Sequence, residues 1–599
     1  MEKQKRYLWS KVQFWQTFEE VAMEVGQTVG GLSWEKFDGA DDYVEEIRRS
    51  CGVSEFLAKC LASLEPRFES MEEVRAFLSP SMSDYFDPYL MKGMAEAVAR
   101  LRRAISAHEH IRIVTDYDAD GTMSMLILKA MLKILKHAEQ THYIPNRQEH
   151  YGFSLMAAQK AVEDGVELIV TADIGVKDEA AIGYAQSHGV DVIVLDHHLP
   201  DGGGVPRAAY VVVCPPQEGC TYPNPHLAAC GISLKLAQAM LADNKYYARI
   251  IASMSKMAAL GTVADVVSLR NIENRAIVAT GLAALNEMKG NNAGVNALLN
   301  ASGARLGAIR SEDVSFRLAP LINAAGRMAS AMHVIDLIEA PNEIVAQQLA
   351  DKLRIMNEER KAIQEKMVER ARAYLEPHCA RPFLFVAFQA CDMWRNGVAG
   401  IVAGRLKECF NKTVAVGTIE NGEIVCSVRA MPGVHAVEAL ERNASRILRW
   451  GGHAAAAGFS IEASQYEAVW DGMCASIEEQ IARAGDALRN QYVETLAVED
   501  VTSELFGDLE KLEPCGTGNK SPFVCIKDVV LTDVRECRNR KLRATVKCPE
   551  FELTAWIAES LVYARAAMEN KRVTLFGKMN QGYYRGYPQY SIEVVDMLI

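Results

Sequence analysis

Three aspartates, Asp116, Asp118 and Asp120, fall within the stretch VTDYDADGTMS at Val114–Ser124. Carboxylates this close repel one another unless something positive holds them. The candidates are a bound cation, a ring of lysine or arginine, or a solvated turn. Two further clusters bear on the choice: Asp173 in TADIGV, and Asp196-His197-His198. Hard divalent cations take carboxylate oxygens, and an imidazole among them moves the preference toward Mn, Fe or Zn and away from Ca. Asp118 and Asp120, alternate residues on one turn, could serve neighbouring ions, with Asp173 placed to bridge. Two ions about 3.5–4 Å apart would activate water and stabilise an in-line displacement at phosphorus.

Such clusters need elements that bring them together. Between about 110 and 270 the β-branched runs IRIV, ELIVTA, VDVIVLD and AYVVVCP alternate with alanine-rich helical segments. That texture predicts a parallel sheet with crossover helices, and such sheets bind ligands beyond the carboxyl ends of their strands. The aspartate turn follows IRIV, Asp173 follows ELIVTA, and Asp196 to His198 follow VDVIVL, so three polar clusters are expected at three consecutive strand ends. Upstream, from residue 1 to about 100, the amphipathic stretches VEEIRRSCGVSEFLAKCLASL and EAVARLRRAI read as helices separated by the loop SPSMSDYFDPY. Downstream, residues 342–375 contain neither Gly nor Pro and space Leu349, Leu353, Met356, Ile363 and Met367 at helical intervals. A helix there would be about 50 Å long and could link two lobes. FLFVAF, TVAVGT and EIVCSV around AGIVAGRLKECF predict a second, smaller α/β lobe, and the C-terminal part is β-rich and basic.

A length of 599 residues suggests roughly four domains. No apolar run is long enough to span a bilayer, and MEKQKRYLWSKVQFW has no signal-peptide core, so the expectation is a cytoplasmic protein without membrane contact. Fourteen cysteines without a Cys-x-x-Cys pair indicate neither a zinc knuckle nor a disulfide framework. A net charge of −12 argues against indiscriminate nucleic-acid binding but allows a local groove, and it suits carboxylates that hold divalent metals.

DYDADG, the aspartate of TADIGV, the triplet at 196–198 and GTVADVVSL together resemble the four phosphoesterase motifs of the DHH superfamily. Within it the chain is similar to the RecJ family of single-strand-specific 5′→3′ exonucleases. The similarity runs through FLSPSMSDYFDPYLMKGMAEAVARL, NAAGRM at 323–328, GVAGIVAGRL at 397–406, GGHAAAAG at 451–458 and LEPCGTGNKSPF at 512–523. The resemblance implies an α/β fold: a two-lobed DHH phosphoesterase core, in which a parallel-sheet lobe and a smaller DHHA1 α/β lobe are joined by a long helix, with a C-terminal OB-like β-barrel. The expected divisions are an N-terminal helical region at 1–100, the DHH catalytic domain at 101–340, the connecting helix at 341–376, the DHHA1 domain at 377–485 and an OB-like nucleic-acid-binding domain at 486–599.

The same resemblance implies that Asp118, Asp120, Asp173, His197 and Asp265 hold two Mn²⁺ or Mg²⁺ ions, with Asp173 bridging. Asp116 would line the site as a ligand or behind one. His198 would face the scissile phosphate, stabilising charge or assisting protonation of the leaving oxygen. Asn323 and Arg327 would contact the nucleic-acid backbone, and Ser427, Arg429, Gly451, Gly452 and His453 would take the terminal phosphate, so that the enzyme measures from the 5′ end. In the C-terminal segment, Arg538, Arg540, Lys541 and Arg543, and then Tyr583, Tyr584, Arg585, Tyr587 and Tyr590, mix cations with aromatics as a single-strand track does.

The chain departs from the family pattern at Ile174, usually Asn or Cys, at Leu321, usually Arg, and at Arg395, usually His. The function implied is removal of 5′-mononucleotides from single-stranded DNA in repair and recombination. A single-stranded-DNA-binding protein or a helicase would be its partner, and monomer is the default state. The nearest alternative is a DHH phosphodiesterase acting on short RNA or cyclic dinucleotides. A non-catalytic scaffold is disfavoured because all five ligand positions keep ligand chemistry.

Overall fold

A computed structural model describes residues 28–599 apart from 30–31, 40, 147–151, 201, 203, 393, 485–489, 538–540 and 585–586. The four β-branched runs of the first lobe are strands: β1 (Ile111–Thr115), β3 (Leu168–Ala172), β4 (Asp191–Leu195) and β5 (Val211–Val213). A fifth, β2 (Gln140–Tyr143), pairs with β1, giving a parallel sheet in the order β2-β1-β3-β4-β5. The polar edge strand QTHY carries none of the apolar pattern that marks the others. β1 and β3 are buried throughout, as strands covered on both faces are. Ile113, Val170 and Ile193 face one helical layer, and Val114, Ile169, Val192 and Val194 face the other.

The register matters for the site. Thr115 is level with Ala172, and Ala172 with Leu195. The residues that follow, Asp116, Asp173 and Asp196, therefore leave three adjacent strands at the same height.

Helices α1 (Ala119–Ile134), α2 (Ala229–Met240), α3 (Tyr247–Ala264), α4 (Ile272–Asn286) and α5 (Ala319–Met328) complete this lobe around the site. Helix α6 (Glu343–Leu375) has 33 residues, about 50 Å at 1.5 Å per residue, and Asn342 caps it by accepting from Val345 N–H at 3.0 Å. Its first half packs Ala346, Ala350 and Leu353 into the first core, and its second half packs Met367, Ala371 and Leu375 into the next, so one helix joins two lobes. The second lobe holds β6 (Phe383–Gln389), α7 (Asn396–Phe410), β7 (Thr413–Glu420), β8 (Glu423–Arg429), β9 (Arg449–Gly452) and β10 (Ala456–Glu462), in the sheet order β9-β10-β8-β7-β6.

Residues 494–598 build a seven-stranded sheet. The N-terminal helices Asp41–Cys51, Glu55–Ala62 and Met71–Leu78 share its core, with Ile47, Leu57 and Phe77 among Val524, Leu575 and Ile592. This unit is tied to the first lobe by Arg275 of α4. Fully buried and stacked on Phe77, Arg275 donates to the carbonyls of Phe77, Leu512, Glu513 and Pro514 at 2.6–3.0 Å. Of the residues expected on a single-strand track here, Arg538, Arg540 and Arg585 lie outside the described residues. Tyr587 is exposed, whereas Tyr590 packs between Phe506 and Phe551, and Lys541 pairs with Glu593 at 3.0 Å. All fourteen cysteines are free. Among the described residues no helix is long and apolar enough to cross a membrane.

Candidate active site

The turn after β1 starts α1, and Asp118 is its N-cap: Oδ1 accepts from Asp120 N–H at 2.9 Å and Gly121 N–H at 3.1 Å. The segment NAAGRM holds this turn from outside. Asn323 Oδ1 accepts from Ala119 N–H at 2.8 Å, and a Cβ on Gly326 would lie 2.3 Å from the Tyr117 carbonyl oxygen, so only glycine admits the turn. Asp120 points at the start of α2, where Oδ2 accepts from Ala229 N–H at 2.7 Å and Oδ1 from Cys230 N–H at 2.9 Å. The helix N-terminus favours negative charge there.

Asp173, next after β3, has φ +66°, a left-handed conformation that costs a non-glycine residue about 1–3 kcal/mol. Asp196, next after β4, spends both oxygens on structure. Oδ2 accepts from Val176 N–H at 2.9 Å; Oδ1 accepts from His197 N–H and His198 N–H and lies 2.7 Å from His198 Nδ1. Asp265 closes α3, and Val266 beyond it has φ +61°.

All five expected ligands meet, together with Asp116 and His198. Candidate ligand atoms of Asp120, His197 and Asp265 lie within 4.8 Å of one another, as do those of Asp116, Asp118 and Asp173 and those of Asp173, His197 and His198. His197 Nε2 is 3.3 Å from Asp173 Oδ1 and 4.0 Å from Asp120 Oδ2, and its Nδ1 is 3.7 Å from Asp265 Oδ2. Burial holds the Asp173 carboxyl well above the usual carboxylate range, and Asp118, Asp120, Asp116 and Asp265 push it further. Asp265 is raised well above that range by burial and then by Asp120 and Asp118; Asp120 is raised mainly by burial. Burial lowers His197, which favours the neutral imidazole that ligation requires. His198 goes the other way: burial opposes its charge, but the Asp196 hydrogen bond and the charges of Asp196, Asp120 and Asp116 together outweigh it, and Asp196 is correspondingly lowered despite its burial.

The donor set suits a pair of divalent cations. Buried His197 Nε2 has no hydrogen-bond partner among the described residues, and mutually repelling carboxylates surround it, so the cluster presents the lone pairs and negative charge that a cation takes. Oxygen ligands with a single imidazole fit Mn²⁺ or Mg²⁺ better than a soft ion.

The β9–β10 hairpin of the second lobe turns toward this edge. His453 donates its N–H to the Ala456 carbonyl at 2.8 Å, and Gly452 has φ +136°, where a Cβ would lie 2.6 Å from that same oxygen. Burial lowers the His453 ring, and the charges of His198 and Lys177 from the first lobe lower it further. Across the sheet Gly451 is paired with Gly458, and Gly458 with Ser427. Half-buried Arg429 donates Nη1–H to Val428 O at 2.8 Å, and burial lowers its pKa; among the described residues no carboxylate pairs with it. Arg327 Nη1 donates to Gly397 O at 2.7 Å, so this arginine also ties the two lobes together.

Two contributors have no role in the sequence-based expectation. Asp196 orients His198, and its only signal was its place in the triplet; the amides of Ala229 and Cys230 hold Asp120, and backbone donors have no side-chain signature. Of the departures, Ile174 and Leu321 are buried apolar groups, and Arg395 lies 3.4 Å from Asp392.

Comparison with known proteins adds to this geometry. The DHH family, N-terminal domain, matches residues 110–262, the DHHA1 domain residues 384–482 and the RecJ OB domain residues 494–596. The chain is 32% identical over 570 residues to the single-stranded-DNA-specific exonuclease RecJ of Bacillus subtilis, covering 94% of this chain and 70% of the relative. The crystal structure of RecJ in complex with Mn²⁺ from Thermus thermophilus is similar with a TM-score of 0.76 at 25% identity, over 95% of this chain and 79% of that one. The Mg²⁺ complex of the same protein shares the fold, with a TM-score of 0.70 at 24% identity over 95% and 78% of the two chains.

Proposed function

Because the chain belongs to the RecJ family of DHH phosphoesterases, we propose that it is a metal-dependent exonuclease that removes 5′-mononucleotides from single-stranded DNA. The observation that carries this is the meeting of Asp116, Asp118, Asp120, Asp173, His197 and Asp265, from separate segments, at one sheet edge. Asp120, His197 and Asp265 would hold one Mn²⁺ or Mg²⁺ ion and Asp116, Asp118 and Asp173 the other, with Asp173 facing both sets. When bound, such a pair supplies the polarisation of water and phosphoryl oxygen that phosphodiester hydrolysis needs.

The remaining steps fall to the chain's own groups. His198, anchored through Nδ1 on Asp196, keeps a proton to higher pH than an ordinary histidine and offers it from Nε2 to the 3′ oxygen as the bond from phosphorus to that oxygen breaks. Water adds to phosphorus, the released nucleotide keeps its 3′ hydroxyl, and the shortened strand keeps a 5′ phosphate. Arg429, Ser427 and the amides of Gly451 and Gly452, with His453, take the 5′-terminal phosphate opposite the acidic edge, which sets polarity. Asn323 and Arg327 serve the backbone with their remaining donors while holding the Asp118 turn and the second lobe. A role in repair and recombination, cytoplasmic location, and recruitment by a single-stranded-DNA-binding protein or a helicase belong to the same proposal.

The rival substrate is a short RNA or a cyclic dinucleotide. A separate unit that docks on the catalytic lobe through Arg275 favours a long polymer. The test is hydrolysis of a long 5′-labelled DNA strand against a dinucleotide under Mn²⁺: the strand is expected to be the better substrate by kcat/KM, and preference for the dinucleotide would overturn the assignment.

A further inference from the structure

Catalysis leaves without a role a groove of about 540 Å³ at the far ends of the helices that carry the acidic edge. Helix α1 starts at the Asp118 turn and gives the groove Ile134, its last residue. Helix α3 ends at Asp265 and contributes Arg249, Ile250, Met254 and Lys256 from its first half, and Glu287 comes from the end of α4. From Met254 to Asp265 the helix rises about 16 Å at 1.5 Å per residue, so the groove is remote from the metal ligands. Its floor is apolar, and its charged lining is Arg249 and Lys256 against one acid, Glu287, on a chain whose net charge is −12.

Lys256 is the group in this lining that packing alone does not account for. It is only 5% exposed, and its Nζ donates to Gly290 O at 2.7 Å and Asn291 Oδ1 at 2.8 Å, both neutral. Among the described residues its third N–H has no acceptor and no carboxylate forms an ion pair with it. Holding an ammonium away from water without a counter-charge is costly, and a methionine would fill the same space without that cost. Burial pulls the Lys256 ammonium below the usual lysine range, with Glu287 opposing only in part. At the lip Arg249 is exposed, its guanidinium 5.4 Å from the ring centroid of Tyr246, which is exposed as well. A groove of this volume, apolar in its floor and polar at a few points, suits a small organic ligand, and the two cations select one with an anionic head.

We infer that this groove is a second, regulatory site for the 5′-mononucleotide product: Lys256 and Arg249 hold its phosphate, and its base lies over Ile134, Ile250 and Met254. This rests on the nuclease assignment and goes beyond it. Among amphipathic anions of this size, the mononucleotide is the one that the chain's own reaction releases. Occupancy bears on the ligands of both cations, because α1 leads from the groove to Asp118 and Asp120 and α3 leads to Asp265. A ligand that favours one placement of these helices over another shifts the acidic edge with them.

The test is calorimetric titration of dAMP into the full-length Arg429→Ala protein in EDTA, where the terminal-phosphate grip is removed and the metal-free acidic edge repels the ligand, so that the remaining heat reports the groove. One equivalent should bind. Lys256→Met in that background should weaken binding about tenfold or more, and Arg249→Ala, a change at an exposed side chain that the fold tolerates, about fivefold. Deoxyadenosine and inorganic phosphate, each carrying half of the ligand, should each bind at least about tenfold more weakly than dAMP. No binding of dAMP, deoxyadenosine binding as tightly as dAMP, or unchanged affinity in both Lys256→Met and Arg249→Ala would overturn the site. Under Mn²⁺, dAMP should lower the kcat of the wild type on a single strand, with about fivefold less potency in Arg249→Ala. Inhibition that is purely competitive with the strand and equal in the two proteins would overturn the regulatory role. Absence of wild-type turnover would count against the nuclease assignment, whereas the binding measured in EDTA is independent of it.

Discussion

Two edges face each other between the lobes, and they are built on opposite plans. On the catalytic edge Asp120, Asp173 and Asp196 are buried, each fixed by its strand end or by backbone donors, and the carboxyls of Asp120 and Asp173 are held above their usual range by burial and by neighbouring carboxylates, Asp118 first among them. On the opposing edge Gly451, Gly452 and His453 are exposed on an edge strand and its turn, and the positive group, Arg429, is half-buried with no carboxylate paired to it among the described residues. The contrast teaches where each kind of work can be done. Holding two cations at a fixed spacing requires repulsion to be locked into the fold, whereas gripping a terminal phosphate needs approachable donors.

The sharpest break of this contrast is Asp173→Asn. Turnover of a 5′-labelled strand should fall by several kcal/mol of barrier, on the order of 10³-fold or more. The metal-free variant should nonetheless melt no lower than the metal-free wild type, since a carboxyl destabilised by burial has been neutralised; a clear drop in Tm would contradict the account. Next in size, adding Mn²⁺ to the metal-free wild type should raise its stability by about 2.7 kcal/mol at a hundredfold excess over Kd. Calorimetry should show that gain reduced in Asp173→Asn and preserved in Arg429→Ala. Arg429→Ala should instead lose roughly 10- to 100-fold in kcat/KM on 5′-phosphorylated strands and little on 5′-hydroxyl strands, as loss of a charge-assisted phosphate contact predicts.

The smallest effect separates burial from metal binding on the catalytic side. Asp178, outside the ligand sets, accepts from Phe153 N–H at 2.7 Å, and burial pushes its carboxyl up to about 6. A folded pKa above the unfolded value favours the protonated form, so its stabilisation is full below about pH 4 and is lost as pH rises to 6. Asp178→Asn should therefore gain on the wild type by roughly 1–2 kcal/mol between pH 4 and 7, and by the same amount with or without Mn²⁺. A gain that vanishes with metal would tie Asp178 to the cluster after all.

Much of the catalytic edge was legible in the sequence because its physics is local. Runs such as ELIVTA can only be buried strands, and polar clusters directly after them must emerge at the sheet's carboxyl edge. The long helix could be read from the absence of Gly and Pro between 342 and 375. What escaped lacks a local signature. The strand QTHY is polar and lies at an edge, so no alternation betrays it. The amides of Ala229 and Cys230 that hold Asp120 belong to an alanine-rich helix start like any other. Arg360 sits in NEERKAIQEK, which reads as a solvated helix face until the fold buries it. The union of the N-terminal helices with the C-terminal sheet joins residues more than 400 apart, which no periodicity encodes.

The most direct test of the central claim is a time course on single strands labelled at the 5′ or the 3′ end, with Mn²⁺ or with EDTA, for the wild type and Asp173→Asn. The account predicts immediate release of the 5′ label as a mononucleotide and late release of the 3′ label, only in the wild type and only with Mn²⁺. Early release of the 3′ label, or undiminished release in EDTA or in the variant, would contradict it.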